Sequence, residues 1–430
     1  MSREDGAPGT ATGAAAVRDA DLPQPARRTV LGLGAGLVLG LGTGAVGGRL
    51  LTGDGRTRHA VGSTGSAGET GSDPQTSAGA SAPGPVDATG STQAGITRPA
   101  TPQPHGTLTV LALDGLALDD LGARDSGRRW LAELGDRILA LTTAPPADLL
   151  PDGAQDLTVT VGLGPRAVRA LDRDLPGSTD LAEFAGDDAI PDARLGGDVM
   201  IAVYASDAGT TAPVSADLAG LVPGKVRWQQ RLYRGPGAGT VVRNPLGFHD
   251  GIAVPRTDDE LARDVWLRTQ DGPPGSDLAG ATICVVRRLR LDVDAFTDLP
   301  VPGREAVVGR RLADGAPLSG GSQTDDVDLD AKQPDGSYVV PARAHARAAH
   351  PSFTGSELML RRGYAFDDGD DDHGLAFVCF QRSLRTFEAT QHRLDEVDDL
   401  QRFVTPTASA TFLVLPGFSA DRPLGSTLTA

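Results

Sequence analysis

The sequence predicts a mixed fold of strands and helices, of either the α+β or the α/β class. Short alternating or continuously apolar runs recur from residue 107 onwards, and stretches with helical apolar spacing lie between them. Turn residues separate these segments, but composition does not decide between the two classes. The strand-like runs are Thr107–Leu113, Leu157–Gly162, Asp198–Ala205, Ala281–Val286, Leu375–Phe380 and Ala410–Leu415, and the helix-like stretches are Arg128–Leu141, Ala167–Leu175 and Asp258–Leu267.

The first 52 residues have the pattern of an export signal. Arg27 and Arg28 precede the run Val30–Val46, which contains only Val, Leu, Gly, Ala and one Thr. This glycine-rich run is short for a membrane span and suits the apolar part of a signal. The arginine pair lies in ARRTVLG, which resembles a twin-arginine signal. We therefore expect residues 1–52 to engage the twin-arginine translocase and direct the protein to the periplasm, the cell surface or the medium; an uncut membrane anchor is the alternative.

Residues 53–105 are predicted to form a disordered linker. They consist mainly of Gly, Ser, Thr, Ala and Pro, with almost no large apolar side chain. Such a segment buries too little surface to offset the entropy cost of ordering it. The remainder of the 430-residue chain is long enough to enclose a sizeable core.

The charge of the chain excludes one broad class of function. The net charge is −16 and the isoelectric point is near 4.8, whereas nucleic-acid binding needs a basic face. An acidic surface suits an exported protein and attracts small cations. The acid run Asp367–Asp372 lacks the spacing of a calcium loop, so we interpret it as a solvated loop. Cys284 and Cys379 lie in apolar runs and are expected to be buried free thiols, with a disulfide as the alternative.

Three polar residues could together serve a haem peroxidase. His345 is a candidate iron ligand, Arg361 follows sixteen residues later, and Asp250 lies far upstream in a glycine-bounded turn. Haem iron takes one imidazole on its proximal side. On the other side, a base must move a proton of hydrogen peroxide and a fixed cation must stabilise the developing charge. His, Arg and Asp also occur together by chance, so the spacing alone leaves this hypothesis open.

Several ordered motifs resemble the dye-decolorizing peroxidase family, and most closely its secreted, iron-uptake-associated branch. Gly247–Gly251 matches the GxxDG motif, and Ala344–Pro351 resembles the S-H-I-R-x-x-N-P segment around the proximal histidine. Arg361–Tyr364 matches R-R-G-Y and is followed by a similar strand, Gly374–Gln381. The resemblance extends from about residue 107 to residue 417. Shorter similarities are Leu157–Arg166, Val226–Gln230, Val285–Asp294 and Gly309–Leu318.

The resemblance implies an α+β fold of two ferredoxin-like halves, each an antiparallel sheet that carries helices. Together the halves would form a haem peroxidase fold similar to a dimeric α/β barrel. We expect the first half at residues 106–240 and the second half, which would hold the haem, at residues 241–425. The sequence itself shows no repeat between the halves.

The resemblance also implies roles for individual residues. His345 would ligate the iron of one haem b per chain, and His350, where the family has asparagine, is the alternative ligand. Asp250 would be the base and Arg361 the stabilising cation. Arg361 and Arg362 are adjacent, so on a strand they would point to opposite faces.

Four further residues are candidates for holding the haem. Leu375 and Phe377, on one strand face, could form a dry wall above the iron, although core packing explains them equally well. Arg256 could pair with a propionate, and Asp398 could accept a hydrogen bond from His345. Asp395, Glu396 and Asp399 are the alternatives to Asp398, and surface salt bridges are the alternative role for Arg361 and Arg362.

The expected function is therefore an exported haem peroxidase that uses hydrogen peroxide to oxidise dyes, phenols or other small reducing substrates. Release of iron from haem is the alternative within the family. Two alternatives from other classes are a haem- or iron-binding accessory of an iron importer and a binding protein without haem.

Overall fold

The computed structural model describes residues 84–122 and 128–428, and it confirms the α+β class. The predicted signal segment 1–52 and linker residues 53–83 lie outside the described residues. The described strands are β1 (His105–Leu113), β2 (Thr158–Leu163), β3 (Val199–Ala205), β4 (Gly224–Tyr233), β5 (Gly237–Ala238), β6 (Val241–Arg243), β7 (His249–Asp250), β8 (Thr282–Leu291), β9 (Leu360–Arg361), β10 (Tyr364–Asp367), β11 (His373–Gln381) and β12 (Val404–Val414).

The helices lie between these strands, and short 3₁₀ turns at Asp187–Ala189, Asp192–Arg194, Thr269–Asp271 and Asp399–Phe403 accompany them. The described α-helices are α1 (Gly115–Leu121), α2 (Arg129–Thr143), α3 (Pro165–Leu171), α4 (Ala208–Ala219), α5 (Asp258–Asp264), α6 (Val293–Thr297), α7 (Val301–Val308), α8 (His345–Ala348), α9 (Pro351–Thr354) and α10 (Leu384–Val397).

The strand order shows the two ferredoxin-like halves that the sequence does not reveal. In the first half the antiparallel order is β4-β1-β3-β2, and in the second it is β12-β8-β11-β10. In both halves the fourth strand lies beside the first and the third lies beside the second, which is the ferredoxin-like arrangement. The predicted boundary at residue 240 falls in the short hairpin between β5 and β6.

The two halves form one closed barrel. β12 pairs with β2 through Leu413 and Val414, and β10 pairs with β4 where Ala365 lies opposite Tyr233. β9 and β10 lie along one edge of β11 and together act as an interrupted strand. Because successive side chains of a strand point to opposite faces, each strand presents one set of residues to the barrel interior and the other to the outside.

Both sides of the barrel wall are apolar, but they are packed by different elements. Inside, residues from both halves form one buried cluster that includes Val110, Tyr204, Val286, Phe380 and Phe412. Outside, the first half is covered by α2 and α4. The buried stripe of α2 is Leu131, Leu134, Ile138 and Leu141, at the spacing of one helix face.

The expectation of a disordered linker up to residue 105 is wrong for residues 84–105. Ile96 is fully buried in the interior cluster, and the buried Gln93 side chain donates to the carbonyls of Val161 and Leu415, each at 2.9 Å. The prediction considered only how much apolar area the segment could bury. A buried side-chain amide such as that of Gln93 can also hold a polar segment in place, because its hydrogen bonds to protein replace those it made to water.

The interpretation of Asp367–Asp372 as a fully solvated loop is also incomplete. Arg288 is buried inside the barrel, and its guanidinium donates to Asp372 at 2.8 Å and to Asp368 at 2.9 Å. The Arg288 Nε donates to Gln230 of the first half at 2.7 Å. The acid loop therefore neutralises a buried charge close to where β10 meets β4.

Two smaller expectations can be compared with the structure. Cys284 and Cys379 are buried and free, as predicted, with Cys284 inside the barrel wall and Cys379 outside it. Within residues 84–122 and 128–428, no helix has both the length and the apolar composition needed to cross a bilayer.

Candidate active site

The candidate site lies on the outer face of the second half, where β11 is not fully covered. Along β11, Gly374, Ala376 and Val378 are buried, whereas Leu375 and Phe377 are only half-buried. Leu375 packs against the cluster around Phe248 and Phe296, and Phe377 packs against a second cluster. Both predicted wall residues thus lie on one face and keep apolar surface available.

The predicted proximal residue, His345, is the first residue of α8. Its Nδ1 lies 2.7 Å from Oδ2 of Asp398, between α10 and the 3₁₀ turn that follows. The other oxygen of Asp398 accepts from the amide of Leu400 at 2.9 Å. The carboxylate is completely buried, while the imidazole is 37% exposed. With Nδ1 donating to Asp398, Nε2 carries the lone pair that can bind a metal.

The charge on His345 depends on two opposing effects. Burial lowers the pKa of His345, but the adjacent Asp398 carboxylate outweighs burial and holds this pKa above its ordinary range. Asp250 also raises this pKa and Arg361 lowers it, so these residues lie close enough to act on one another. A carboxylate in this position makes the imidazole electron-rich and fixes its orientation.

The alternative ligand, His350, has both ring nitrogens occupied. Its Nε2 lies 3.1 Å from Oδ2 of Asp326, and its Nδ1 accepts from the amide of Ser352 at 3.1 Å. In this way His350 caps the N-terminus of α9. The geometry favours His345 as the ligand.

The residues predicted for the distal side, Asp250 and Arg361, are brought together by the fold from distant parts of the chain. Arg361 donates to Oδ1 of Asp250 from Nε at 3.3 Å and from Nη2 at 3.2 Å, and to the carbonyl of Ala253 at 2.9 Å. Oδ1 also accepts from the amide of Gly251 at 2.6 Å. Gly251 has φ of +77°, and a Cβ there would lie 2.1 Å from the carbonyl oxygen of Thr240. The turn that presents Asp250 therefore requires glycine.

The carboxyl group of Asp250 is held ionised. Burial raises its pKa, but Arg361, the amide of Gly251 and the nearby His345 together bring this pKa below the ordinary range of an aspartate. The next residue, Arg362, points the other way: its guanidinium lies inside the barrel and donates to the carbonyls of Ile96 at 2.7 Å and Pro99 at 3.1 Å. The predicted opposite directions of Arg361 and Arg362 are confirmed.

Two other residues of this loop, Arg256 and His249, make contacts of their own. Arg256 is exposed and donates to the carbonyl of Ile252, so its contact with a propionate stays a prediction. His249 lies against Gly315, where an added Cβ would come within 2.9 Å of its Nδ1. Burial and the nearby Arg243 lower the pKa of His249, which leaves it neutral near pH 7.

One part of the site was missed by sequence reasoning. An apolar group that we term the outer-face cluster packs beside Phe377; it consists of Phe184, Val285, Met359, Cys379 and Phe387. Phe184 comes from the first half, and its ring contacts Phe387 edge-on with centroids 5.6 Å apart. A buried bidentate ion pair between Asp187 and Arg287, at 2.7 Å, holds this segment. The sequence could have indicated Met359, because it lies two residues before Arg361. Nothing in the sequence indicated that Phe184 belongs to the site.

The residues present fit a haem group. An imidazole with a free Nε2 and a buried carboxylate partner is the usual proximal arrangement. A half-buried apolar wall, Leu375 and Phe377, suits a flat macrocycle. Gly363 lies beside both the predicted base and the apolar wall, because a Cβ there would be 3.7 Å from Oδ2 of Asp250 and 3.5 Å from Leu375.

Comparison with known sequences points to one family. The family profile described as Dyp-type peroxidase, C-terminal, matches residues 242–419. A dye-decolorizing peroxidase of Thermobifida fusca (strain YX) is 35% identical over 367 residues, spanning 80% of this chain and 85% of that protein. A deferrochelatase of Yersinia pestis is 31% identical over 366 residues, spanning 76% of this chain and 81% of that protein.

Solved structures agree. A DyP-type peroxidase from Cellulomonas bogoriensis superposes with a TM-score of 0.71 at 33% identity, covering 81% of this chain and 98% of that one. Ferric DtpA from Streptomyces lividans superposes with a TM-score of 0.72 at 30% identity, covering 83% of this chain and 99% of that one.

Proposed function

The chain belongs to the dye-decolorizing peroxidase family, and on that premise we propose that it is an exported haem peroxidase that oxidises small reducing substrates in one-electron steps. The observation that carries the proposal is the arrangement of two carboxylates around one imidazole. Asp398 supports the imidazole of His345, while Asp250 and Arg361 lie near that imidazole and pair with each other. His345 can therefore bind iron, while Asp250 and Arg361 can transfer a proton of peroxide and stabilise the developing charge.

Several residues would hold one haem b per chain. His345 would supply the iron ligand through Nε2, with Asp398 fixing the ring through Nδ1. Leu375 and Phe377 would exclude water from the distal side, because a dry wall strengthens the electrostatic effects of nearby charges. Arg256 would contribute a cation towards a propionate.

A bound haem supplies the redox chemistry that breaks the O–O bond and then withdraws electrons from the donor. Asp250 moves the proton. Its Oδ1 already accepts from Arg361 and from the amide of Gly251, so Oδ2 is the oxygen available to take a proton from peroxide. Arg361 stays charged throughout, and its donors hold the oxygen that develops negative charge.

A visible spectrum tests this proposal most directly. Purified protein loaded with haem should show a Soret band of histidine-ligated iron that changes on addition of one equivalent of peroxide. Peroxide-dependent oxidation of a dye or phenol should then run far faster than with free haem. A stable Soret band with turnover no better than free haem would indicate an accessory haem-binding protein, and the lack of any Soret band would exclude a haem protein.

A second candidate function, removal of iron from haem, is favoured by the relatives named deferrochelatase. Such an activity would leave metal-free porphyrin, which fluoresces, whereas intact haem does not. Incubation of the loaded protein under reducing conditions, with porphyrin fluorescence as the readout, tests it. A signal no greater than that of free haem would remove this candidate.

Export rests on Arg27 and Arg28, with the twin-arginine translocase as the partner and iron-importer components as further candidate partners. The translocase carries folded proteins, which suits a chain that takes up a cofactor first. Replacing both arginines by lysine should retain the protein in the cytoplasm, and fractionation of cells that express each form checks this. Unchanged export of the double lysine variant would contradict the proposal.

A further inference from the structure

Met359 lies at the edge of the candidate active site without a role in the chemistry described above. Leu360 is buried among residues of the barrel interior, whereas Met359 belongs to the outer-face cluster. Arg361, two residues on, extends towards Asp250 on the same outer side. Phe377, the half-buried wall residue, packs against the same cluster. Met359 thus lies beside the residues around which peroxide would react, and 7% of the residue is exposed.

The other sulfur atoms in the described residues are poorer targets for peroxide. Cys379 lies in the same cluster and is fully buried, and that burial raises the pKa of its thiol far above the ordinary value. The thiolate is the reactive form of cysteine, so a thiol kept protonated is inert. Cys284 and Met200 lie in the barrel interior with no exposed surface. A thioether has no proton to lose and reacts at any pH.

We propose that Met359 is the residue at which hydrogen peroxide inactivates this enzyme. The sulfur forms a bond to one peroxide oxygen while the O–O bond breaks, so methionine and hydrogen peroxide give methionine sulfoxide and water. The inference rests on the proposed function, which brings peroxide into the neighbouring pocket.

The product would disturb the wall of the pocket. A sulfoxide is polar and chiral, and it disrupts apolar packing. Met359 shares its cluster with Val285, Phe184 and Phe387, and the ring of Phe387 lies 6.1 Å from that of Phe377 between centroids. Placing a polar oxygen among these apolar side chains is unfavourable and would loosen their packing. Displacement of Phe377 would then open the dry side of the site.

Peptide mass spectrometry tests the inference, because the full sequence contains only Met1, Met200 and Met359. Haem-loaded enzyme is exposed to peroxide without a donor, sampled over time, assayed and digested. The peptide with Met359 should gain one oxygen in step with the loss of activity, while the peptide with Met200 stays unmodified. Equal oxidation of both peptides, or loss of activity with Met359 intact, would overturn the inference.

Met359→Leu provides the matched variant, because leucine keeps the apolar volume and removes the sulfur. Relative to its own initial rate, this variant should complete severalfold more turnovers before half of its activity is lost. The same lifetime as the wild type would overturn the inference. The initial rate of donor oxidation separates the two proposals: samples inactive from the start would contradict the peroxidase function, whereas active samples with unmodified Met359 would contradict this inference alone.

Discussion

The two halves of the barrel share one strand order but differ in how their outer faces are covered. In the first half, Ile201 on β3 and Leu134 on α2 are fully buried in one continuous apolar cluster. In the second half, Leu375 and Phe377 on β11 remain half-buried, although α10 covers the neighbouring part of the sheet. The long connection from β8 to β10 carries His345 to this side.

This difference shows how a duplicated architecture can acquire a site. A face closed by well-packed helices contributes stability and leaves no room for a ligand. A face left open can receive a flat cofactor, provided that polar groups converge on it. In this protein Asp250, Arg361 and His345 converge on the second face. Strand order alone does not predict which face is closed and which can receive a cofactor, because function depends on the residues placed on the fold.

The largest expected effect comes from removing the proximal imidazole. His345→Ala should abolish haem binding or shift the Soret band to that of a foreign or water ligand, because the ring is the group placed to bind iron. Spectroscopic titration with haem measures this. His350→Ala is the matched control and should retain a histidine-ligated spectrum, since its ring caps α9. The reverse result would exchange the two assignments.

The second effect concerns the distal pair. Asp250→Asn and Arg361→Leu should each retain haem and slow the reaction with peroxide by roughly 10²–10⁴, the contribution of a well-placed proton-transfer or charge-stabilising group. Stopped-flow mixing with peroxide, followed at the Soret band, gives the rate.

The first half offers an ion pair for comparison. Arg137 and Asp217 form a two-bond pair at 2.8 Å, and their side chains are 31% and 27% exposed, against 22% and 23% for Arg361 and Asp250. Arg137→Leu and Asp217→Asn should leave the peroxide reaction unchanged. Equal losses from both pairs would mean that the distal effect is structural rather than catalytic.

The third effect is a loss of stability that differs in size between the two halves. Leu134→Ala should lower the free energy of unfolding by about 2–5 kcal/mol, as for other buried leucines that leave a cavity. Leu375→Ala should cost less in the haem-free protein, since the residue is half-buried, but it should alter the haem spectrum. Denaturant unfolding of both haem-free variants measures the difference, and equal losses of stability would contradict the contrast between the faces.

Sequence patterns predicted the strands of the barrel better than the elements that surround the site. The alternating apolar runs identified β1, β2, β3 and the cores of β8, β11 and β12, because a wall with two buried faces needs such runs. They missed β4, whose outer positions are largely exposed, and the packing of residues 84–105, which depends on the amide of Gln93.

The candidate site divides in the same way. Motifs identified Asp250, His345 and Arg361 as candidates, and Asp398 was preferred to three other nearby acids. The spacing of residues could not show that Asp398 lies 2.7 Å from the imidazole of His345, or that Phe184 of the first half contacts Phe387 of the second. Both facts depend on contacts between segments that are distant in sequence.

The smallest expected effect is the response of the peroxide reaction to pH. The pKa of Asp250 lies below its ordinary range because Arg361, the amide of Gly251 and His345 together outweigh the effect of burial. A carboxylate with a depressed pKa stays ionised down to acid pH. Asp250 can therefore accept a proton at any pH above its pKa and loses this ability only below it. An unperturbed aspartate titrates at about 3.9 and a histidine at about 6.5. Asp250 should therefore still act as a base at acid pH. Because the later steps of donor oxidation consume protons, donor oxidation should be fastest at acid pH.

We accordingly predict that the rate of reaction with peroxide stays level as the pH falls from 7 to about 4.5, because Asp250 remains ionised throughout that range. His249→Gln should show the same profile, since the pKa of His249 is lowered and its ring lies against Gly315. Stopped-flow rates at each pH, with haem retention checked by the Soret band, provide the measurement. That check is needed because the ion pair between Asp250 and Arg361 contributes stability above the unfolded pKa of the aspartate and loses it as pH falls through the folded pKa. A decline in the wild type between about pH 6.5 and 4.5 that disappears in His249→Gln would transfer the role of base from Asp250 to His249.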